Sequence, residues 1–289
     1  MTDSQSLLKL ALPKGRIHDG VRSLLSGAGI NVTMTARSYR PRINLEGWEA
    51  KILKPQSVAL MLGVGSRDVG FTGADWIAEH RADVVELLDT KLDPVRLVAA
   101  APVDLLVDGQ LPRGPLVVAS EYEQLTRDWL DQRGEPYKFV RTHGATEVFP
   151  PDDADCIVDN TSTGATLEAN GLRIVAEIMR SSTRMFASQA AMGDPARRGR
   201  IEDLVCLVEA VLEARRRVMI EMNVQPDCLD TLVELLPCMR RPTVARLHGD
   251  EGFAVKAAIL RRDLPALIPR IRAAGGSDIV VTKPDQIIV

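Results

Sequence analysis

A hydroxyl-rich loop follows a short apolar strand between Ala154 and Leu167, and its residue types are suited to binding phosphate. In this stretch, ADCIVDNTSTGATL, the backbone N–H groups and hydroxyls of residues 163–167 can converge on an anion at the start of a helix. Gly164 permits close approach of the backbone, and Asp159 at the strand end could accept hydrogen bonds from ribose hydroxyls. These residue types in this order indicate a ribose 5-phosphate site.

The same loop has a second interpretation, in which its serine and threonine side chains only cap a helix. The loop contains neither GxxxxGK[ST] nor GxGxxG, so the sequence supports neither a P-loop nor a dinucleotide-binding fold. By itself the loop leaves both interpretations open.

Alternating strands and helices precede and follow this loop, which predicts an α/β architecture. The first set comprises strands Leu7–Leu12, Ile30–Met34, Ala50–Lys54 and Asp68–Phe71 and helices Ile17–Gly27, Gln56–Gly63 and Thr72–His80. Beyond Asp93-Pro94, a second set comprises strands Val95–Ala101, Leu116–Ala119, Tyr137–Val140 and Cys156–Val158 and helix Tyr122–Arg133. A long helix, Ile201–Arg217, follows these two sets.

The pattern changes at Val218, where a separate C-terminal domain is predicted. Its strands are Val218–Val224, Thr243–Leu247, Phe253–Ile259 and Asp278–Val281, and its helices are Leu229–Leu236 and Leu264–Ala274. The order βαββαβ is that of a ferredoxin-like, two-layer domain.

Charge and cysteine content exclude several classes of function. Lys plus Arg total 36 against 39 Asp plus Glu, which provides no broad positive field for a nucleic acid. The four cysteines have no CxxC spacing, so buried, reduced thiols and a cytoplasmic location are expected. We see neither a signal peptide nor an uninterrupted apolar run of about 18 residues for a membrane span.

Four motifs in order resemble those of the long form of ATP phosphoribosyltransferase, the committing enzyme of histidine biosynthesis. They are Leu12-Pro13-Lys14-Gly15-Arg16, Asp68-Val69-Gly70-Phe71-Thr72-Gly73-Ala74-Asp75, Gly144-Ala145-Thr146-Glu147 and the stretch from Asp159 to Leu167. The C-terminal domain, with Leu236-Pro237 and Pro242-Thr243, extends the resemblance over nearly the whole chain.

The resemblance implies a catalytic half with two lobes, built like a periplasmic binding protein, and a C-terminal regulatory domain. Lobe one would comprise residues 1–94 and 182–215, lobe two residues 95–181, and the regulatory domain residues 216–289. The 5-phosphate would be held by Thr163, Gly164, Ala165, Thr166 and Leu167. Glu147 and Asp159 would face the ribose hydroxyls, and Lys14, Gly15, Arg16, Gly73 and Asp75 would line a wall near ATP and the pyrophosphate.

The implied reaction joins N1 of ATP to C1 of phosphoribosyl pyrophosphate and releases pyrophosphate. Charge stabilisation and positioning suit such a reaction better than a protein nucleophile. Mg²⁺ is expected to neutralise the pyrophosphate while held mostly by phosphates and water, so no metal ligands are assigned.

Regulation also follows from the resemblance. Histidine would bind the C-terminal domain near Asn223, Met239, Thr243 and Asp278 and shift a homo-oligomer, between dimer and hexamer, toward a compact, less active hexamer. No nucleic-acid or membrane partner is expected.

Two departures from the family pattern leave alternatives open. Asn160 stands where many ribose-phosphate loops have a second acid. The segment from Ser38 to Gln56 is also unlike the common family versions. That Lys54 takes the place of the usual arginine in this segment is a hypothesis. The alternatives are a catalytically altered paralogue and a ligand-binding module of the same fold.

Overall fold

The computed structural model describes residues 7–34, 39–249 and 251–289. The strands are β1 Leu8–Pro13, β2 Val32–Thr33, β3 Arg42–Ile43, β4 Trp48–Leu53, β5 Val69–Gly73, β6 Val84–Pro102, β7 Leu116–Ser120, β8 Tyr137–Arg141, β9 Cys156–Thr161, β10 Leu172–Ser188, β11 Arg217–Val224, β12 Thr243–Arg246, β13 Phe253–Leu260 and β14 Ser277–Thr282. The helices are α1 His18–Gly27, α2 Pro55–Gly63, α3 Ala74–Glu79, α4 Glu123–Arg133, α5 Ala165–Ala169, α6 Gln189–Gly193, α7 Pro195–Arg216, α8 Leu229–Leu235 and α9 Leu264–Ala273. The chain divides into two compact units, the first with residues up to Ser23 and Ile30–Ile201, the second with Leu24–Gly29 and Glu202–Val289.

The first unit is built on an eight-stranded sheet with the order β4-β1-β5-β10-β6-β9-β7-β8. Strands β4, β1 and β5 are parallel to one another, and so are β9, β7 and β8. The two long strands β10 and β6 lie between these triplets and pair antiparallel to each other and to the triplet beside them. The two triplets therefore point in opposite directions along the sheet.

This topology brings the carboxyl ends of two parallel triplets together at the centre of the sheet. Strand β5 ends at Gly73, which pairs with Thr183 of β10. Strand β9 ends at Thr161, which pairs with Arg96 of β6, and Arg96 in turn pairs with Arg180 of β10. Thr183 and Arg180 are three residues apart, or about 10 Å along a strand. Loops after β5 and β9 consequently meet, and ligand sites in α/β sheets form at such strand ends.

The central strands are buried on both faces. On one face Leu97, Val118 and Cys156 pack with Trp76 and Tyr122, and on the other Val98, Ala119 and Ile157 pack with Leu167. Successive residues of a strand point to opposite faces, so a strand covered on both sides is apolar throughout. That is why the first half of β9, Cys156–Val158, was predictable as an unbroken apolar run.

The second unit contains the expected βαββαβ domain. Its sheet order is β12-β13-β11-β14 with every pair antiparallel. Alternate residues of β11 are buried against Leu232 of α8 and against Leu267 and Ile271 of α9. The predictions of a mixed α/β fold and of a separate C-terminal domain are confirmed.

Three expectations about local structure were wrong, and one strand was missed. The strand expected at Val95–Ala101 is longer, because β6 begins at Val84 and runs through Asp93-Pro94 with bulges against β10 and with Asp93 in the left-handed region at φ 47°. Strand β10 was not predicted, because its charged residues interrupt the alternation of apolar and polar side chains that is typical of a strand. Helix α7 begins at Pro195 rather than Ile201, and Cys206 is exposed although all four cysteines are free.

No helix within the described residues has both the length and the apolar character needed to cross a membrane.

Candidate active site

The loop after β1 turns sharply to present two basic side chains. Gly15 has φ 84°, a conformation that favours glycine, and the N–H of His18 donates to its carbonyl oxygen at 3.0 Å. The ring Nδ1 of His18 lies 2.9 Å from the carbonyl oxygen of Pro13, which closes the turn. Lys14 donates to the hydroxyl of Tyr39 at 3.3 Å, so the segment between β2 and β4 contacts this loop.

The turn from β5 into α3 depends on close packing around Asp75. A β-carbon at Gly73 would overlap Oδ1 of Asp75 and lie 3.4 Å from the hydroxyl of Ser181. Only glycine leaves room for the Asp75 carboxylate, which is 4% exposed. The requirement for Gly73 therefore comes from this side chain.

Both carboxylate oxygens of Asp75 accept hydrogen bonds from buried hydroxyls. Ser181 on β10 donates to Oδ1 at 2.7 Å, and Tyr122 before α4 donates to Oδ2 at 2.6 Å. The side-chain amide of Asn160 on β9 donates to the hydroxyl oxygen of Tyr122 at 2.8 Å. Burial, followed by the nearby charge of Asp75, raises the pKa of Tyr122 well above its usual value, so this residue keeps its proton.

The hydroxyl-rich loop after β9 is held together partly by its own hydroxyls. The hydroxyl of Thr161 accepts from the N–H of Gly164 at 2.9 Å, and that of Thr163 accepts from the N–H of Ala165 at 3.3 Å, so these two hydroxyls stabilise the turn that leads into the helix. Gly164 has φ 92°, as the turn requires. The helix that follows, α5, has five residues, so its dipole contributes less at the loop than a long helix would.

Asp159 and Glu147 lie on the same side of this loop. The N–H of Asn160 donates to Asp159 Oδ1 at 2.7 Å, and the hydroxyl of Thr146 also donates to the Asp159 carboxylate. The pKa of Asp159 is raised from 3.8 to about 6, first by burial and also by the neighbouring carboxylates Glu147 and Glu121, although the hydrogen bonds to its carboxylate oppose the rise. The side chain therefore titrates close to neutral pH.

Two adjoining cavities contain most of the predicted site residues. The wall cavity has a volume of about 340 Å³ and is lined by Lys14, Arg16, Ile17, Pro55, Gln56, Gly73, Asp75, Trp76, Asp93, Val95, Glu121, Asn160, Ser181, Ser182 and Thr183. The loop cavity has a volume of about 260 Å³ and is lined by Arg16, Glu147, Asp159, Asn160, Thr161, Ser162, Thr163, Ala165, Thr166 and Leu167. Arg16 and Asn160 line both cavities and therefore mark where they meet.

Some predicted residues lie beside the cavities rather than on their surfaces. Gly15 shapes the basic turn, and Gly164 lines a third, largely apolar cavity. Lys54 precedes α2 and is exposed, whereas its neighbours Pro55 and Gln56 line the wall cavity. Ser38, the first residue of the unusual segment, lies outside the described residues.

Several cavity residues were missed by sequence reasoning. Glu121 follows β7, the parallel neighbour of β9, so its place at a strand end was a usable signal. Asp93 and the run Ser181–Thr183 lie on the two long strands, whose pairing no local pattern revealed. Gln56 has a buried side-chain oxygen that accepts no hydrogen bond within the described part of the chain.

The residues predicted to sense an amino acid are located in the second unit. The amide of Asn223 donates to the Asp278 carboxylate at 3.1 Å, and Asp278 has φ 49°. Thr243 is exposed on β12, while the N–H of Met239 donates to the carbonyl oxygen of Ala258. Asn223 and Asp278 thus form a polar pair on adjacent strands β11 and β14.

Comparison with known proteins extends over almost the entire chain. The family model of ATP phosphoribosyltransferase (HisG) matches residues 54–210, and the model of the HisG C-terminal domain matches residues 214–284. ATP phosphoribosyltransferase of Chlorobium phaeovibrioides is 36% identical over 284 residues, covering 96% of this chain and 97% of the relative. That of Pelotomaculum thermopropionicum is 35% identical over 278 residues, covering 94% and 96%.

A solved structure gives the same result. The ATP phosphoribosyl transferase (HisG:HisZ) complex from Thermotoga maritima contains a chain that aligns with a TM-score of 0.64 and 25% identity, over 72% of this chain and 99% of that one. Fold and relatives together define a transferase of the glycosyltransferase type. The chain belongs to the ATP phosphoribosyltransferase family, in the long form that carries the C-terminal domain.

Membership of this family confirms the predicted reaction. The family condenses ATP with phosphoribosyl pyrophosphate in the first step of histidine biosynthesis, and it needs a divalent metal ion.

Proposed function

We propose that the loop cavity binds the ribose 5-phosphate part of phosphoribosyl pyrophosphate and that the wall cavity binds ATP and the pyrophosphate. The observation that carries this proposal is the convergence of the two cavities at Arg16 and Asn160. A ribose ring at that junction has its 5-phosphate near the hydroxyl-rich loop and its C1 directed toward the wall cavity. The two reactants then meet where the ends of β5 and β9 converge.

Within the loop cavity, each group has a chemical role. The 5-phosphate is held by Thr163, Gly164, Ala165, Thr166 and Leu167: the hydroxyls of Thr163 and Thr166 and the N–H groups of Thr166 and Leu167 are the donors, while Gly164 and Ala165 form the turn that presents them. Asp159 and Glu147 accept hydrogen bonds from ribose hydroxyls, and their negative charges also favour positive charge at the ribose in the transition state.

The opposite wall stabilises the leaving group. Lys14 and Arg16 are placed to balance the negative charge that grows on pyrophosphate as its bond to C1 breaks and N1 of adenine bonds to C1. Gly15 sets the turn that presents them, and Gly73 leaves space for Asp75, which completes the wall with both carboxylate oxygens hydrogen-bonded.

We assign Mg²⁺ as the divalent ion. Within the described residues no group of three or more His, Cys, Asp or Glu side chains is arranged to hold a metal. The donor set near the cavities, isolated carboxylates beside a phosphate-binding loop, fits an ion held mainly by substrate phosphates and water. When bound, Mg²⁺ would neutralise the pyrophosphate.

The test of this arrangement is the formation of phosphoribosyl-ATP from ATP, phosphoribosyl pyrophosphate and Mg²⁺, followed by near-ultraviolet absorbance. Arg16→Ala should lower kcat/KM at least about tenfold, because a charge-assisted contact contributes about 1.5–3 kcal/mol. Arg22→Ala, an exposed change on α1, is the matched control and should leave kcat/KM within twofold. Equal activity of the two variants would remove Arg16 from the site.

We further propose that the C-terminal domain binds histidine and that the enzyme is feedback-inhibited through a hexamer. The Asn223–Asp278 pair supports a site for a polar ligand, with Met239 and Thr243 as the other predicted members. A cytoplasmic location stays a prediction that rests on the four free cysteines.

The lobe boundaries are also a proposal. Residues 1–94 and 182–215 form lobe one, residues 95–181 lobe two, and residues 216–289 the regulatory domain. Val95 pairs with Ser181, so the two predicted crossing points are neighbours on β6 and β10, which supports a hinge there.

A further inference from the structure

A relay of three hydrogen bonds, two of them buried and one partly buried, connects the turn after β5 to the hydroxyl-rich loop after β9. It runs from the Asp75 carboxylate through the hydroxyl of Tyr122 to the side-chain amide of Asn160, with Ser181 bonded to the other carboxylate oxygen. Tyr122 is completely buried, and its ring stacks on Trp76 with 4.3 Å between centroids. Residues from four separate elements are thus held in one rigid arrangement.

The direction of each hydrogen bond follows from the chemistry of its ends. A carboxylate only accepts, so the single proton of the Tyr122 hydroxyl must point toward Asp75. The hydroxyl oxygen of Tyr122 is then an acceptor, and Asn160 must offer it the N–H₂ side of its amide. Oδ1 of Asn160 is left as the oxygen that this side chain can present to a ligand.

Asn160 lines both cavities, at the junction where the ribose ring is placed. We propose that Asp75 and Tyr122 are positioning residues that set the orientation of the Asn160 amide, so that Oδ1 accepts a hydrogen bond from a ring hydroxyl of phosphoribosyl pyrophosphate. This inference rests on the proposed function. It gives Asp75 a role that it performs through Tyr122 and Asn160.

The relay also explains why an amide replaces the second acid. A carboxylate at position 160 would compete with Asp75 for the one proton of Tyr122, and two buried anions would face a single donor. It would also adjoin Asp159, whose pKa is already raised by burial and by two carboxylates. The amide supplies an acceptor oxygen for the hydroxyl without adding a charge.

Exchanging the donor and acceptor ends of the relay tests this inference. In Asp75→Asn the new amide can donate to Tyr122, whose proton then turns toward Asn160 and reverses the Asn160 amide, so that N–H₂ faces the ribose. In Asn160→Asp two carboxylates compete for one proton. In the double variant the amide introduced at position 75 donates to Tyr122, Tyr122 donates to the carboxylate introduced at position 160, and an acceptor oxygen again faces the ribose.

The measured quantity is discrimination, the ratio of kcat/KM for phosphoribosyl pyrophosphate to that for analogues lacking the 2- or 3-hydroxyl. The wild type should prefer the natural substrate at least about tenfold over one of these analogues, because the analogue leaves the Oδ1 acceptor of Asn160 without a hydrogen-bond partner. Asp75→Asn should lose most of that preference, and the double variant should recover it to within about threefold. Asn160→Asp keeps an acceptor oxygen at the ribose, so it should keep the preference but lower the unfolding midpoint, because two carboxylates then face the one proton of Tyr122. Ser181→Ala, which removes a donor to Asp75 but leaves the polarity unchanged, should keep the preference.

Each outcome decides the inference. Absence of product with the wild type would contradict the proposed function itself. An active wild type without discrimination, or an Asp75→Asn variant that loses activity equally on all substrates, would show that the relay has only a structural role. If a single variant does not fold, as judged by its unfolding midpoint, the double variant alone tests the proposal. Because its hydrogen bonds should be restored, a double variant that fails to fold or to discriminate would overturn the proposal.

Discussion

Asp159 should reduce the stability of the folded protein at neutral and alkaline pH. Its pKa rises from 3.8 to about 6 on folding, chiefly because the charged form is desolvated. The folded state therefore binds the proton more tightly than the unfolded state does. The contribution to stability is present in full below about pH 4 and is lost as pH rises through about 6.

The size of this effect follows from the same values. At about 1.36 kcal/mol for each pKa unit, the rise corresponds to at most about 3 kcal/mol. Two effects reduce this figure: the Asp159 side chain is only partly buried, and the amide of an Asp159→Asn variant offers one acceptor fewer to the Thr146 hydroxyl. The expected gain in the free energy of unfolding is therefore about 1–2 kcal/mol. Asp159→Asn should raise the free energy of unfolding by this amount at pH 8 and hardly change it at pH 4.

Urea denaturation of both proteins from pH 4 to pH 8 at one fixed protein concentration measures this difference. Asp152→Asn, an exposed change in the turn before β9, is the control and should show no such pH-dependent gain. The same Asp159→Asn variant should lose at least about tenfold in kcat/KM, because its charge near the ribose is gone. A variant less stable than wild type at pH 8, or equally active, would refute this assignment.

Three further perturbations test other parts of the structure. Gly73→Ala should force Asp75 out of place and lower kcat/KM at least about tenfold, whereas Gly193→Ala, with open space around it, should not; equal activities would show that Asp75 tolerates the shift. Glu79→Gln should lower the free energy of unfolding in urea by about 1 kcal/mol, because the Glu79 carboxylate accepts two N–H groups at the start of α4; no change would mean that water replaces it. Asp278→Asn should weaken inhibition by histidine without changing the kcat of the uninhibited enzyme, because asparagine also tolerates the left-handed backbone at this position. Unchanged inhibition would show that Asp278 is not part of the effector site.

Patterns among neighbouring residues predict much of the fold. The apolar run of β9, the hydroxyl-rich loop after it and the alternation along β11 are properties of adjacent residues, so the sequence predicts them without knowledge of the rest of the chain. Lys14, Arg16 and Asp159 were named from short motifs, and their side chains do line the two cavities.

The environment of the site depended on contacts between distant residues. Asp75 and Ser181 are separated by 106 positions, and Asp75 and Tyr122 by 47, so no local pattern could reveal that the Asp75 carboxylate is held by two hydroxyls. Strand β10, which supplies Ser181, has irregular charges and bulges and becomes recognisable only through its pairing with β6.

The sequence by itself determined which groups can bind phosphate, ribose and cations, because that chemistry belongs to each side chain. Only the tertiary structure decided which of them face the ligand and which are used to hold a neighbour. Burial, hydrogen-bond direction and the raised pKa of Asp159 all arise from atoms that folding brings together from distant positions in the chain.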